Sequence, residues 1–242
     1  MILYYVRHAQ SGNNALFDAT QNDRERVMDP ELTELGVRQA ARVAEALSCG
    51  RSLIQASSPE SNGFGVTHLY CSLMVRAVHT GQPIARALGL PLVGWTDLHE
   101  GGGIYLEDVD TGRLTGYPGS SHTILTERFP ELVWPTGTSR DGWWDRPFEE
   151  PAERAGRARR VLAELLRRHG GTEDRVVLVS HGGFFYWFMN AVLDMAVRRN
   201  LGFHIYNTSI SCLEFSPKFS PEGGLEVHYL NRVDHLVPEM VS

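Results

Sequence analysis

An apolar run, ILYYV at residues 2–6, stops at Arg7 and His8 and gives way to Ala9, Gln10, Ser11, Gly12, Asn13 and Asn14. A strand entering a solvated loop more often ends in Gly, Pro, Asp or Asn. A guanidinium beside an imidazole, followed by small and amide side chains, suits the holding of an anion. Two other apolar runs end in a comparable way. VTHLYCS (66–72) leads into a helical stretch that carries Arg76, and RVVLVS (175–180) leads into His181-Gly182-Gly183. Ligands collect beyond the carboxyl ends of the strands in an open α/β sheet. The three segments would therefore bring two imidazoles and two guanidiniums to one rim. Arg forks match phosphate oxygens in a bidentate way. The small residues after each His let backbone N–H groups and helix N-termini approach the same anion.

Each residue alone has a plainer use. A lone His after a strand commonly serves as a hydrogen-bonded structural group, and Arg76 could be a helix-surface cation. Ser11 and Asn14 could simply cap or turn the chain. Independent plain uses do not predict convergence on one rim, and that conjunction favours phosphate chemistry.

The elements that must position these residues are legible as patterns. LTELGVRQAARVAEAL (32–47) predicts a helix opening near Thr33, with Val43, Ala44 and Leu47 on one face. LMVRAVHTGQPIARALG (73–89) predicts a helix kinked or interrupted at Pro83. EEPAERAGRARRVLAELLRRHG (149–170) carries an apolar stripe of Ala158, Val161, Leu162, Leu165 and Leu166. The unbroken apolar run at 175–180 reads as a strand covered on both faces, with a buried helix, GFFYWFMNAVL (183–193), after it. SISCLEFS (209–216) and GLEVHYLNR (224–232), joined by the turn PKFSPEGG, predict an antiparallel hairpin at a sheet edge. Strands alternating with helices indicate a three-layer αβα sandwich with a mostly parallel central sheet. Residues 101–148, rich in Gly, Pro, Trp and Arg, break the rhythm and read as an irregular insertion or lid within a single domain spanning 1–242.

The bulk properties narrow the function. The chain has 242 residues, 42% of them hydrophobic and 21% charged, which is ordinary for a soluble globular protein. A formal net charge of −6 supplies no general basic field, so nucleic acid is not the expected partner and any anion site must be local. Cys49, Cys71 and Cys212 are odd in number and widely spaced, as suits reduced thiols. No leader-like or membrane-length apolar stretch is present. The expectation is a cytoplasmic protein without a membrane partner; whether it self-associates stays open.

The segment VRHAQSGNN resembles the RHG-type signature of the histidine phosphatase superfamily, branch 1, the phosphoglycerate mutase-like group. LTELGVRQA, YCSLMVRAVHT, DLHEGGG and VVLVSHGGF match that family's further segments in order. The resemblance spans roughly residues 1–215 and weakens over 101–148; Ala9 stands where the family usually has Gly, a difference of one methyl. It implies the phosphoglycerate mutase-like fold and a histidine acid phosphatase-type phosphomonoesterase. His8 would be the nucleophile that takes up the phosphoryl group. Arg7, Arg76 and His181 would surround the phosphoryl oxygens, helped by Asn14, Ser11 and the Gly182 amide. Glu100, in DLHEGGG, would protonate the leaving oxygen and then activate water; the neighbouring His99 is the rival acid.

The physical logic stands beside the resemblance. A nucleophilic imidazole must be neutral, and an adjacent Arg lowers its pKa by like-charge repulsion. Phosphoryl transfer needs cationic donors on the equatorial oxygens more than covalent chemistry. Two Arg and two His supply that charge, so no metal and no other cofactor is expected. DVDTG (108–112) imitates the loop of magnesium-dependent aspartyl phosphatases, but it sits in the irregular stretch and reads as a turn. HGGF lacks the GxSxG that a serine hydrolase needs.

The expected substrate is a small phosphomonoester. The stretch 101–148 holds Tyr105, Tyr117, Phe129, Trp134, Trp143, Trp144 and Phe148, with seven acidic residues against four arginines. That suits a modest ester with an organic portion rather than a polyphosphate. The same aromatics could equally form the segment's own core. Water rather than a second substrate is the expected acceptor. Glu25-Arg26-Val27 replaces the Thr-Gly-Trp-like loop of mutase-type relatives, and no ERHYG-like segment follows. Arg24 and Arg26 could still hold a substrate carboxylate. A mutase-type phosphotransferase and a non-catalytic phosphate-binding regulatory module are the alternatives.

Overall fold

The computed structural model describes every residue except 23–24, 51, 54–62, 199 and 218–223. The chain opens with β1 (Ile2–Arg7), α1 (Gly12–Thr20), α2 (Glu34–Cys49), β2 (His68–Cys71), α3 (Val75–Leu88) and β3 (Leu92–Gly94). A short hairpin, β4 (Tyr105–Glu107) and β5 (Leu114–Gly116), follows with α4 (His122–Arg128) and β6 (Leu132–Val133). The last elements are α5 (Pro151–His169), β7 (Arg175–Ser180), α6 (Gly182–Val192), β8 (Ile210–Ser216) and β9 (Gly224–Arg232). Seven strands form one sheet in the order β6-β3-β2-β7-β1-β8-β9; β8 runs antiparallel to both of its neighbours, β1 and β9, and the other pairs are parallel. No helix among the described residues is long and apolar enough to cross a membrane.

Alternation along the inner strands divides the core in two, as a period of two requires. Tyr4, Val6, Val177 and Val179 face α2 and α3, whereas Leu3, Tyr5, Val176 and Leu178 face α5 and α6. The sheet is covered on both sides, which is why RVVLVS reads as an unbroken apolar run. Three layers result.

Several local expectations need correction. The helix around Pro83 is continuous from Val75 to Leu88; the ring forfeits one backbone bond, and buried Val78, Ile84 and Ala85 hold the turn together. On α5, Leu166 is exposed and Arg157 and His169 are buried in its place. The turn PKFSPEGG lies largely outside the described residues. The irregular stretch 101–148 is not separate from the body. Its β6 pairs in parallel with β3 at the sheet edge, and Ile104, Leu125, Phe129, Trp143 and Trp144 join the core cluster on the α2–α3 side. For these residues the aromatic content is core. Asp108 accepts the Thr111 N–H at 2.8 Å, so DVDTG is a turn.

The loop after β1 is seated on α2 by a close approach. The Thr33 N–H donates to the Gln10 carbonyl at 3.0 Å, and the Gln10 N–H donates to Gln39 Oε1 at 2.8 Å. Gly36 faces that carbonyl, and a Cβ built there would lie 2.1 Å from Gln10 O. Gly36→Ala is therefore expected to destabilise the fold by about 1–3 kcal/mol, the usual cost of overpacking. Urea denaturation checks this, and an unchanged midpoint would show that the loop is not held there.

Candidate active site

Strand register brings the two imidazoles together. Arg7 pairs with Ser180 across β1 and β7, so His8 and His181, each the next residue, emerge side by side with ring centroids 5.0 Å apart. The third strand is β2, whose register places Cys71 beside Val179. The following residue, Ser72, donates its N–H to the Val179 carbonyl at 3.0 Å. Arg76 is the second residue of α3.

The backbone around His8 is pinned from all sides. Its N–H donates to the Ser180 carbonyl at 2.8 Å, and Asn207 Nδ2 donates to its carbonyl at 2.8 Å. Ala9 N–H donates to Thr80 Oγ1 at 3.0 Å. The ring is fixed too. His8 Nδ1 lies 2.7 Å from the Ala9 carbonyl, which can only accept, so Nδ1 carries the proton and Nε2 keeps its lone pair. That lone pair accepts from Arg76 Nε at 3.2 Å. His181 is anchored in a similar way. Ser72 Oγ accepts the Met74 N–H and shares a hydrogen bond of 2.9 Å with His181 Nε2. Nδ1 of His181 is buried with no hydrogen-bond partner among the described residues.

Arg7 donates from NH1 to the Ile205 carbonyl at 2.6 Å, while its Nε is buried and unpartnered. The Arg76 NH1 lies 3.6 Å from Asp29, which also accepts the Val75 N–H at 3.1 Å. Buried donors without acceptors are uncommon. Here Arg7 Nε and His181 Nδ1 are both buried and unpartnered, Arg7 adjoining His8 in the chain and the His181 ring 5.0 Å from that of His8. Glu100 hangs from two amides, accepting Gly101 N–H at 2.7 Å and Gly183 N–H at 3.0 Å. A Cβ at Gly183 would come within 2.6 Å of Glu100 Oε1, so only glycine leaves room for that carboxylate. Gly182 begins α6, whose N-terminus therefore opens beside Arg7 and Glu100.

Burial is the first cause that pulls the His8 pKa well below its ordinary value, with Arg76 and Arg7 adding like-charge repulsion. His181 is lowered in the same way, by burial and then by Arg76. Burial pushes the Asp29 carboxyl up to about 7, against the pull of Arg76 and the Val75 amide.

Of the residues singled out from sequence, Arg7, His8, Arg76, Glu100, His181 and Gly182 come together. Ser11 is the N-cap of α1: its hydroxyl donates to Asn14 Oδ1 at 3.0 Å, and Asn14 N–H donates back. Asn14 Oδ1 also accepts from Asn207, which leaves its Nδ2 amide for an anion. His99 points the other way. It is fully buried with its ring 4.6 Å from that of Trp144. Arg26 is not merely solvated, since NH1 donates to Tyr105 Oη at 2.7 Å and the guanidinium stacks 4.5 Å from that ring. Arg24 lies outside the described residues.

Sequence reasoning missed Ser72, Asp29, Glu149 and Arg157. Arg157 is buried and forms a two-pronged pair with Glu149 at 2.6 and 2.8 Å. Its NH1 also donates to the carbonyls of Asp97 and His99, the segment that leads into Glu100. The one signal for it was an Arg inside the otherwise apolar stripe of α5. Two clusters with metal-ligand atoms occur among the described residues, His68/His169/Asp174 and Glu214/Glu226/His228, and neither includes a residue of this rim.

The sequence model of the histidine phosphatase superfamily (branch 1) matches residues 3–220. No protein of curated function matches the chain by sequence. Similar solved structures include a phosphoserine phosphatase from Entamoeba histolytica in complex with 3-phosphoglyceric acid, 20% identical, covering 98% of this chain and 99% of that one, TM-score 0.60. A mycobacterial glucosyl-3-phosphoglycerate phosphatase is 22% identical over 96% of this chain and 99% of its own, TM-score 0.60. Bacillus stearothermophilus YhfR is 19% identical over 97% and 98%, TM-score 0.59. At these identities the likeness speaks for the fold.

The lowered histidines carry a consequence for stability. His8, His99 and His181 are all held well below 6.5, and His235 at about 4. Below about pH 6.5 the unfolded chain takes up protons that the fold refuses, so stability falls with falling pH. Asp29, raised, works in the opposite sense but alone. The urea midpoint should drop between pH 7 and pH 5, and a midpoint that rose instead would contradict the lowering of these four imidazoles.

Proposed function

The chain belongs to branch 1 of the histidine phosphatase superfamily, and from that premise we propose that it hydrolyses phosphomonoesters through a phosphohistidine at His8. The observation that carries the reading is the fixed tautomer of His8, whose Nε2 is unprotonated and accepts from Arg76, while Arg7 Nε and His181 Nδ1 are buried and unpartnered. In the first step the Nε2 lone pair forms a bond to phosphorus as the ester P–O bond breaks. Glu100 gives its proton to the departing oxygen. The three equatorial oxygens are held by Arg7, Arg76 and the His181 Nδ1–H, with the Asn14 amide and the N-terminus of α6. In the second step Glu100 takes a proton from water, the water oxygen attacks phosphorus, and the P–N electrons return to Nε2. Inorganic phosphate leaves, and the enzyme is restored.

Water as acceptor is supported by the sequence of the substrate loops and by Arg26, which is already engaged with Tyr105. Some structural neighbours are named for phosphoserine and glucosyl-3-phosphoglycerate hydrolysis, and this chain is read as acting on the same broad class, phosphate monoesters. The His/Arg cluster supplies the charge that a divalent ion supplies in other phosphotransferases.

His8→Ala should cut turnover by roughly 10⁴-fold or more while the circular dichroism spectrum is kept. Label from a phosphomonoester should become acid-labile and bound to His8 in the wild type. Substantial activity surviving His8→Ala would rule the mechanism out. Interconversion of 3- and 2-phosphoglycerate much faster than phosphate release would overturn the hydrolase reading in favour of a mutase-type phosphotransferase. Glu100→Gln should slow phosphorylation by phenyl phosphate by about 10²–10⁴-fold, yet spare the burst with 2,4-dinitrophenyl phosphate, whose leaving group needs no proton. Loss of both bursts alike would remove Glu100 from the acid role.

Activity should also persist in excess EDTA. A loss that Mg²⁺ or Mn²⁺ restores would overturn metal-independent transfer.

A further inference from the structure

A cleft of about 940 Å³ adjoins the catalytic rim on the side of Glu100, lined among others by Arg7, Gly183 and Arg154. Each of these three residues also belongs to the acid's surroundings. Gly183 N–H holds the Glu100 carboxylate. The Arg154 guanidinium lies against Gly101, where a Cβ would meet its Cζ at 3.1 Å. Arg7 reaches across to the Ile205 carbonyl, and Ile205 lines the cleft as well. An acid that protonates a leaving oxygen must stand beside the leaving group. The leaving group therefore lies at the mouth of this cleft.

The far wall is apolar and aromatic. Tyr186 and Trp187 come from α6, and Leu201 and Phe203 from the chain that follows it. Trp187 and Phe203 are half-buried, and Leu201 is exposed. Tyr186 ties that chain down, its hydroxyl donating to the Arg198 carbonyl at 2.7 Å and accepting the Arg198 N–H at 3.0 Å. The wall is thus held in place rather than left to a loop of uncertain position. Nothing about the hydrolytic chemistry requires apolar side chains here. The space also far exceeds what a phosphorylated three-carbon acid would fill.

We propose that this cleft is the leaving-group subsite and that it selects phosphomonoesters of a bulky, apolar or aromatic alcohol, seated on Trp187, Phe203 and Leu201. The proposal rests on the hydrolase reading for the side on which the leaving group lies, and its test reads binding apart from turnover. Phenylphosphonate, 4-ethylphenylphosphonate and 4-butylphenylphosphonate share one headgroup and differ only in apolar length. Calorimetric titration of the intact protein should show 4-butylphenylphosphonate binding at least about tenfold tighter than phenylphosphonate, as burial of four carbons allows. In Leu201→Asp and in Trp187→Ala the advantage should shrink to about twofold or less. The matching phosphate esters, whose leaving groups are equally acidic, should show the same trend in kcat/KM.

Equal affinity across the three phosphonates would overturn the subsite. So would a length advantage that survives intact in both variants. If the phosphonates follow the expected order while no ester releases phosphate, the hydrolase reading fails and the apolar subsite stands.

Discussion

Everything at the rim depends on keeping two imidazoles uncharged beside two guanidiniums in a place with little water. A protonated His8 could not attack phosphorus, and a charged His181 next to it would be repelled by the same arginines. The fold meets the constraint by burying both rings and, at His8, by a carbonyl at Nδ1 that admits one tautomer, while the Ser72 hydroxyl holds the His181 ring at Nε2. Carboxylates are placed with equal care. Asp29 answers Arg76, and Glu100 is held by backbone amides and not by either arginine. Arg7 donates to the Ile205 carbonyl and has no ion pair among the described residues, with Glu100 and Asp18 acting on it at longer range.

That arrangement is bought by parallel strands. In an antiparallel pair, Arg7 and Ser180 would send the chain to opposite ends of the sheet. In parallel register both strands end together, and the two residues that follow are neighbours. The acid comes from a different kind of support. Its segment is irregular, and irregular backbone carries carbonyls that need donors. Arg157 supplies them to Asp97 and His99 from inside α5, with Glu149 closing its charge and Phe184 of α6 beneath the guanidinium at 4.4 Å. A buried ion pair of this kind contributes little net stability, since desolvation offsets most of the attraction. What it does is bind the acid's loop to the two helices that flank β7, so that Glu100 and the α6 N-terminus share one frame.

The strands and helices were legible in the sequence because their apolar periods are simple, and the rim residues because they stand at strand ends. Arg7, His8 and His181 each interrupt an apolar run, which no core requirement explains. Their supports were not legible. Ser72 looks like any strand-end serine until the register sets it opposite His181. Asp29 and Glu149 sit in loops, where acidic residues need no special reason. Arg157 was readable only as a blemish in an amphipathic pattern, since one-dimensional periodicity cannot say which carbonyls a buried guanidinium will find. The ties that bind the stretch 101–148 to the core were not legible for the opposite reason. It lacks periodicity, yet Phe129, Trp143 and Trp144 pack against α2 and α3 through contacts that are distant in sequence.

This division of labour bears on how such a site acquires selectivity. The rim residues proposed to hold the phosphoryl group are locked by register, helix N-termini and buried hydrogen bonds, so substitution there would damage the proposed chemistry before it altered preference. The aromatics of 101–148 are largely committed to the core, with Tyr105 engaged by Arg26 and packed edge-to-face on Phe148. They are poorly placed to vary without cost to folding. The wall formed by Tyr186 and Trp187 of α6 and the chain after it is less committed: Leu201 and Val197 are exposed, while the Tyr186 hydroxyl bonds the backbone of Arg198 and half-buried Trp187 and Phe203 pack against the core beside α5 and α6. The exposed side chains there can change size and polarity without disturbing the rim. Selectivity for the alcohol is therefore free to reside on that wall, which begins three residues beyond Gly183.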